Sequence, residues 1–371
     1  MSTENKSEPI RIAHVIGKLY AGGVESVIYN YYRHIDRTKY QFDFIIDADS
    51  KIDPPQEIMD LGARFYVVPP YQKLPQYMKE LVRLFRENRY QIVHSSMNSL
   101  AVFSLCAAWI AGVPIRICHN HSRPGKGETK RNILKYSLRP FSKLFPTHLC
   151  ACSRMAGEWL FGKRAMKRGK VTIFNNAIET EKFAFDPVVR NEVRKEFGIE
   201  DRFVIGHVGR FCFAKNQEFL IELMPEILKR NPKAVLFLVG FGETQEKSVQ
   251  LVSESGLESS VIFTGMRKDV ARFYQAMDVF VLPSRYEGLP VVGVEAQAAG
   301  LPCLMSNNVP QEAKVSDRVQ FLSLDDRERW IDLILSASVP DRICKIIPQF
   351  DITFEAKKMD YYYDFALKNK G

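Results

Sequence analysis

Short apolar runs alternate with stretches of helical periodicity along the whole chain. The first half reads as strand Ile10–Ile16, a helix from Val24 to about Ile35, strands Phe42–Ile46 and Arg64–Val68, and a helix over 75–87. Strand Ile92–His94, an apolar helix over 99–111 and strand Ile115–Cys118 follow, the last ending at His119-Asn120-His121. A basic helical stretch over 128–143, strand Thr147–Cys152, a helix over 153–162 and strand Val171–Phe174 close this half. The pattern then restarts. Strands Phe203–Val208, Ala234–Val239, Val261–Thr264, Val279–Leu282, Pro302–Ser306 and Val319–Leu322 are separated by helices over 188–197, 217–230, 268–277, 290–299 and 326–337. Apolar strands alternating with helices predict parallel, doubly wound sheets. The fold class expected is α/β, with two Rossmann-like domains facing across a cleft, at residues 1–178 and 179–345. The segment 346–371 carries the aromatic helical run Phe354–Asn369 and is expected to return to pack on the first domain.

Ligands of such sheets bind at the carboxyl ends of the strands, so the loops there are where chemistry is sought. The most informative is residues 283–300, PSRYEGLPVVGVEAQAAG. Pro290 falls where a first helical residue belongs and Gly300 where a helix stops. A helix N-terminus attracts phosphate through its free amides and dipole. Glu287 and Glu295 flank it, and carboxylates repel phosphate, so they read as acceptors for hydroxyl groups. A general acid–base pair is the alternative. In the preceding strand-to-helix loop, Arg210 and Lys215 can clamp two phosphates, one as a bidentate fork and one as a point charge. Gly22-Gly23, between the first strand and helix, allows close backbone approach to a diphosphate. There is no G-x-G-x-x-G and no P-loop, which disfavours NAD and nucleoside triphosphate sites. Phosphate and hydroxyl readers side by side suggest a sugar nucleotide.

His94, His119 and His121 end two first-half strands. A metal pair at 119 and 121, or an Asp-x-Asp metal motif at Asp47 and Asp49, is weighed against histidines that bond a substrate hydroxyl and a solvated strand end; no third ligand has the spacing. No metal is expected.

Composition changes the picture in two places. The chain has 371 residues, 46% of them hydrophobic, with a net charge of +9. The excess is confined to the first half, and residues 116–170 hold fourteen Lys and Arg against two acids, Glu128 and Glu158. Without a nucleic-acid motif or aromatic interleaving, this segment, with Lys130, Arg131 and Lys135 on its helix, points to anionic lipid headgroups or a phosphorylated acceptor rather than nucleic acid. The seven cysteines show no C-x-x-C pair and mostly lie in apolar runs, as reduced cytoplasmic thiols do. The longest apolar run, Leu100–Val113, is too short to span a bilayer. A cytoplasmic protein, peripheral at the inner face of the membrane, is expected.

Together the tandem layout, the Gly22-Gly23 loop, Gly209-Arg210 with Lys215-Asn216, and Glu287-Gly288-Leu289-Pro290 with Glu295 resemble a retaining glycosyltransferase of the GT-B fold, family 4 (glycosyl transferases group 1), of the kind that assembles capsules and exopolysaccharides. The resemblance covers nearly the whole chain. It implies that Arg210 and Lys215 hold the donor diphosphate, that Glu287 contacts donor-sugar hydroxyls and that Glu295 binds the ribose. It also implies that the amides of Gly288, Leu289 and Pro290 meet phosphate, that Gly22 and Gly23 lie near the diphosphate and acceptor, and that His119 contacts the donor sugar. Arg210, Lys215, Glu287 and His119 are the catalytic set. The family's hinge Asn-Gly-Ile-Asp is here Asn176-Ala177-Ile178-Glu179.

The implied reaction moves a sugar from a nucleotide sugar, expected to be UDP-linked, to a lipid-linked or oligosaccharide acceptor, with no cofactor. Two other readings of the same scaffold are a sugar-nucleotide epimerase, which would turn over without acceptor, and a non-catalytic binder of sugar nucleotides or anionic lipid. The four intact residues Arg210, Lys215, Glu287 and Glu295 weigh against the second.

Overall fold

The structure, a computed structural model, describes residues 8–20, 23–121, 129–337, 342–343 and 348–369, with the side chains of 129–131 excepted. Gly22 therefore lies outside the described residues, as do Cys344 and the expected 345/346 boundary. Two compact units are present: the chain up to Pro124 with Glu128–Ala177 and Pro348–Gly371, and Ile178–Ile347.

The first unit runs β1 (Ile10–Gly17), α1 (Gly23–His34), β2 (Tyr40–Asp47), α2 (Gln56–Asp60), β3 (Arg64–Val68), α3 (Leu74–Glu87), β4 (Ile92–Ser95) and α4 (Ala101–Ile110). It continues with β5 (Ile115–Asn120), α5 (Thr129–Leu138), β6 (His148–Ala151), α6 (Arg154–Phe161), α7 (Lys163–Lys167) and β7 (Val171–Ile173). Its sheet has the order β3-β2-β1-β4-β5-β6-β7, with every pair parallel. The second unit runs α8 (Pro187–Glu196), β8 (Phe203–Val208), α9 (Gln217–Arg230), β9 (Ala234–Val239), α10 (Gln245–Glu254), β10 (Val261–Phe263) and α11 (Val270–Ala276). Then come β11 (Val279–Leu282), α12 (Val291–Ala298), β12 (Cys303–Ser306), β13 (Val319–Leu322) and α13 (Arg327–Leu335), in a parallel sheet of order β10-β9-β8-β11-β12-β13. The last helix, α14 (Ile352–Lys368), belongs to the first unit.

Several expectations shift. β5 runs on through His119 and Asn120, two residues beyond the expected last strand residue Cys118. The basic stretch breaks after Leu138 into a 3₁₀ turn, Arg139–Phe141, because Pro140 cannot extend an α-helix. Pro290 caps α12 from outside, at φ −75° and ψ 110°, instead of opening it. Lys135, expected on a basic surface, is only 8% exposed. The short helices α2, α7 and α10 were not expected from the sequence, since their apolar stripes are thin and charge-rich. Among the described residues no helix is long and apolar enough to cross a membrane.

The second unit's core gathers Phe211, Phe219, Leu220, Leu236 and Trp330, whose indole N–H donates to Ser323 O at 2.9 Å. The first unit's centre is unusual, because four histidines lie inside it. His14, His94, His119 and His121 are all buried. The hydroxyl of Tyr363, on α14, lies 3.2 Å from His14 Nε2 and 2.8 Å from His94 Nδ1, and His94 Nε2 lies 3.1 Å from His119 Nδ1. Two proton arrangements, running in opposite directions, satisfy these three bonds, and both keep the three rings neutral. His14 also stacks on Phe42, with centroids 3.9 Å apart. Around this contact α14 is tied down by Tyr31 donating to Glu355 at 3.1 Å, by Tyr40 donating to Asp364, and by the Asp36 amide donating to Asp360 at 3.0 Å. The Cys150 thiol donates to Tyr362 at 3.2 Å and Cys152 is likewise buried, so both pack in the core.

Burial pushes His94 down to about 3 and His121 to about 4, and lowers His14 and His119 well below the ordinary imidazole value. Each group binds a proton more readily when unfolded. Stability is therefore full above the unfolded value near 6.5 and falls as pH drops below it, down to the folded values. At pH 5.5 each such histidine costs about 1.4 kcal/mol relative to pH 7.5. Asp360 and Glu295, pushed up to about 6 and about 7 by burial, act in the opposite sense, but as two groups against these four histidines and His207, pushed down to about 4. Urea unfolding at the two pH values should show a clear loss of unfolding free energy at pH 5.5; equal stabilities would mean the histidines are not held neutral.

Candidate active site at the second sheet's switch point

In the second sheet the chain leaves β8 in one direction, towards β9 and β10, and returns on its other side with β11. Strand order reverses between β8 and β11, and the backbone leaves a crevice beyond their carboxyl ends. The loop after β8 carries Arg210 and Lys215; the loop after β11 carries Ser284 and Glu287. Three bonds fix one loop to the other. The Arg285 amide donates to Ala214 O at 2.7 Å, Arg285 Nη1 to Phe213 O at 3.0 Å, and Asn216 Nδ2 to Pro283 O at 3.1 Å. Asn216 does this from a left-handed conformation, φ 60°, which asparagine tolerates better than bulkier residues. The Ser306 hydroxyl, at the end of β12, holds Ser284 O.

With the loops locked, Lys215 Nζ lies 2.6 Å from Glu287 Oε1, and the Ser284 hydroxyl donates to the same oxygen at 2.7 Å. Lys215 and Glu287 are 17% and 13% exposed, so this ion pair is only lightly screened. Directly after Glu287, Gly288-Leu289-Pro290 leads into α12, whose N-terminus has no side-chain cap. Its first amides and dipole therefore point out of the helix towards the crevice. On the other side, the loops after β8 and β9 press together. A Cβ on Gly240 would lie 2.1 Å from Gly209 O, and one on Gly242 would lie 2.2 Å from Phe211 O. Only glycine lets these two backbones meet beneath the crevice.

Glu295 sits in α12, and Tyr274, fully buried on α11, donates its hydroxyl to Glu295 Oε2 at 2.8 Å. Burial pushes the Glu295 carboxyl up to about 7, against the opposing pull of Tyr274 and of Lys215. His207, buried at the end of β8, gives Nδ1 to Val281 O at 2.9 Å and is pushed down to about 4 by burial. Its Nε2 has no partner.

The sequence placed Arg210 beside Lys215 as a second clamp. Its side chain is 63% exposed and pairs with Glu243 at 2.8 Å, while Lys215 pairs with Glu287. Sequence reasoning missed Tyr274, Ser284 and Asn216. Tyr274 reads as an ordinary core aromatic, and only the packing of α11 on α12 shows its bond to Glu295. In the first unit, His119 Nδ1 is taken by His94 and its Nε2 has no partner. Gly23 opens α1. Asp47 is buried and Asp49 pairs with Lys18 at 2.5 Å, and among the described residues no three metal-ligating side chains are arranged around a common point.

Known proteins share this chain's sequence pattern and fold. Residues 189–338 match the family described as glycosyl transferases group 1, and residues 21–182 match glycosyltransferase family 4. Over 342 residues the chain is 35% identical to the putative glycosyltransferase EpsF of Bacillus subtilis, covering 90% of this chain and 88% of that one. The chain belongs to glycosyltransferase family 4. This glycosyltransferase is also 27% identical, over 99% of both chains, to the Escherichia coli UDP-Gal:alpha-D-GlcNAc-diphosphoundecaprenol alpha-1,3-galactosyltransferase. Its fold is that of Anabaena HepE, solved in complex with UDP, with a TM-score of 0.75 and 17% identity over 97% of this chain and 100% of that one. WaaG, a glycosyltransferase involved in lipopolysaccharide biosynthesis, superposes with a TM-score of 0.69 at 16% identity, over 96% and 95% of the two chains. These are GT-B enzymes, and the two parallel-sheet units are that fold.

Two outcomes follow from the site. The Glu295 carboxyl, pushed up to about 7, is the stronger hydrogen-bond acceptor when ionised, so UDP or GDP binding by calorimetry should weaken as pH falls below 7. Tyr274→Phe removes the bond that favours the carboxylate, so the decline should begin at higher pH; an unshifted profile would detach Glu295 from nucleotide binding. Separately, Lys215→Ala should lower turnover by roughly tenfold or more, about 1.4 kcal/mol of transition-state stabilisation, and wild-type rates would remove Lys215 from the chemistry.

Proposed function

We propose that the enzyme transfers a sugar with retention from a UDP-linked donor to a lipid-linked acceptor in cell-surface polysaccharide assembly, without a metal. The observation that carries this is the Lys215–Glu287 ion pair beside the uncapped N-terminus of α12. In the unliganded enzyme these two charges neutralise each other. A nucleotide sugar offers both a better partner: the diphosphate takes Lys215 and the helix amides, and the sugar hydroxyls take Glu287. Glu295, held by Tyr274, is the acceptor for ribose hydroxyls. Arg210, at the rim, adds charge as the diphosphate leaves, and Gly22 and Gly23 lie near the diphosphate and acceptor in this reading, as does His119 near the sugar.

The bond from the anomeric carbon to the phosphate oxygen breaks as positive charge develops on the sugar. The acceptor oxygen forms the new bond on the same face, and its proton passes to the departing phosphate oxygen. Lys215 and the α12 amides stabilise the negative charge that leaves, so neither a protein base nor a cation is required. The donor nucleotide and the lipid acceptor are favoured by the UDP complex of HepE and the diphosphoundecaprenol substrate named for the Escherichia coli relative. EpsF and the Staphylococcus aureus capsular glycosyltransferase CapH, 23% identical over 83% of this chain and 84% of that one, favour polysaccharide assembly. The basic segment 116–170 suits work against an anionic membrane at its cytoplasmic face.

A screen of UDP- and GDP-sugars against a polyprenyl diphosphate sugar acceptor, with the product's anomeric configuration read by NMR, tests this. The expected product is axial from an axial donor and forms in EDTA. An inverted product would overturn the same-face route. Activity restored only by Mg²⁺ or Mn²⁺ would overturn metal independence. Conversion of the donor without acceptor would replace transfer by epimerisation.

A further inference from the structure

Helix α5 is built inside out. It exposes Ile133 at 66% and Tyr136 at 54% and buries Lys135 at 8%. Phe141, at the end of the 3₁₀ turn, and Leu144 beyond it are exposed too, at 53% and 65%. Ile133 and Tyr136 lie three residues apart on α5, and Phe141 and Leu144 stand exposed just beyond its end, so this surface carries large apolar groups where a solvated one would be charged. On α4, Trp109 is 57% exposed, and its ring lies 5.8 Å from that of Phe145, the residue after Leu144.

Bases surround these apolar groups. Lys143 Nζ donates to Phe161 O at 3.2 Å, the Arg139 guanidinium lies 5.8 Å from the Trp159 ring, and that ring lies 6.1 Å from Tyr136. Phe161 ends α6, and α7 begins after Gly162, so exposed Lys163, Arg164, Lys167, Arg168 and Lys170 continue the same edge. Between 129 and 170 the one acid in the sequence is Glu158, and Arg154 holds it at 3.1 Å.

We propose that the exposed apolar groups Ile133, Tyr136, Phe141 and Leu144 form a wedge that inserts among the lipids of an anionic membrane while the surrounding lysines and arginines engage the headgroup phosphates. The charge pattern selects this occupant. A second copy would bring the same bases against themselves and be repelled, whereas an anionic bilayer offers acyl chains for the wedge and phosphates for the rim. Tyr136 and Trp109 have the apolar body and polar tip that suit the boundary between the two. Attachment has two parts, a salt-sensitive attraction and a salt-resistant insertion. It deepens the reading of a lipid-linked acceptor by stating how the enzyme is held where such an acceptor lies.

The test is vesicle flotation of the full chain with phosphatidylcholine alone and with added phosphatidylglycerol, at low and high salt. Wild type should bind the mixed vesicles and keep part of that binding at high salt. The variant Ile133→Ser/Phe141→Ser/Leu144→Ser should bind them about tenfold more weakly and lose the salt-resistant part; since these side chains are exposed, its melting temperature should be unchanged. A second variant, Lys163→Ser/Arg164→Ser/Lys167→Ser, should lose the preference for anionic vesicles. Wedge-variant binding equal to wild type overturns the proposal, and so does a wild-type dimer, seen by light scattering, that the wedge variant lacks. Transfer to a short, water-soluble acceptor should be the same in wild type and wedge variant. Failure of that transfer in wild type overturns the reaction reading instead, and leaves the flotation result standing.

Discussion

A parallel sheet whose strand order reverses must leave a crevice at the reversal, because the two neighbouring strands send their chains to opposite sides. In the second unit that crevice lies between β8 and β11, and the site depends on it. Each loop there supplies one charge, Lys215 from one side and Glu287 from the other. The bonds from Asn216 and Arg285 set the distance between them. An ion pair this little exposed is costly to break unless both partners are re-engaged at once. A ligand carrying both phosphate and hydroxyls does that. Solvent, or an anion alone, does it less well. In the proposed reaction, the pair would favour a ligand that carries both groups.

Glu295 illustrates the same economy of position. Its bond to Tyr274 orients the carboxylate, and burial raises its pKa towards neutrality. The cost of keeping it ionised is offset when hydroxyl groups donate to it. The glycines at 240 and 242 matter for another reason. They let two loops share space that side chains would fill, which keeps the base of the crevice narrow and built from backbone.

The first unit resolves a different conflict. Its centre is polar, with four histidines among aromatic rings, and three of them are hydrogen-bonded through one tyrosine supplied by α14. Without Tyr363, His14 Nε2 and His94 Nδ1 would be buried without partners, which costs more than the bonds contribute. The C-terminal helix is therefore part of this unit's core. On the outside, the exposed apolar groups on and after α5, beside their basic rim, are the reverse of what burial in water favours, and the proposed membrane contact would cover them.

Much was legible in the sequence. Short continuous apolar runs set against helical stretches located nearly every strand, because a strand buried on both faces must be continuously apolar. Glycine and proline punctuation marked residues 283–300, and residue chemistry alone separated phosphate readers from hydroxyl readers. Pairing was not legible. The sequence set Arg210 with Lys215, since they share a loop, whereas the tertiary structure gave Lys215 to Glu287, because charges pair through space and the crevice brings two loops together. Nothing in the spacing marked Tyr274, which bonds Glu295, and the strand expected to end at Cys118 runs on through His119 within β5. Local spacing reports which residues share an element. The packing of α11 on α12, of α14 on β1 and β4, and of α6 on α5 decided which side chains meet and which face is left to the outside, since those contacts join positions far apart in the chain.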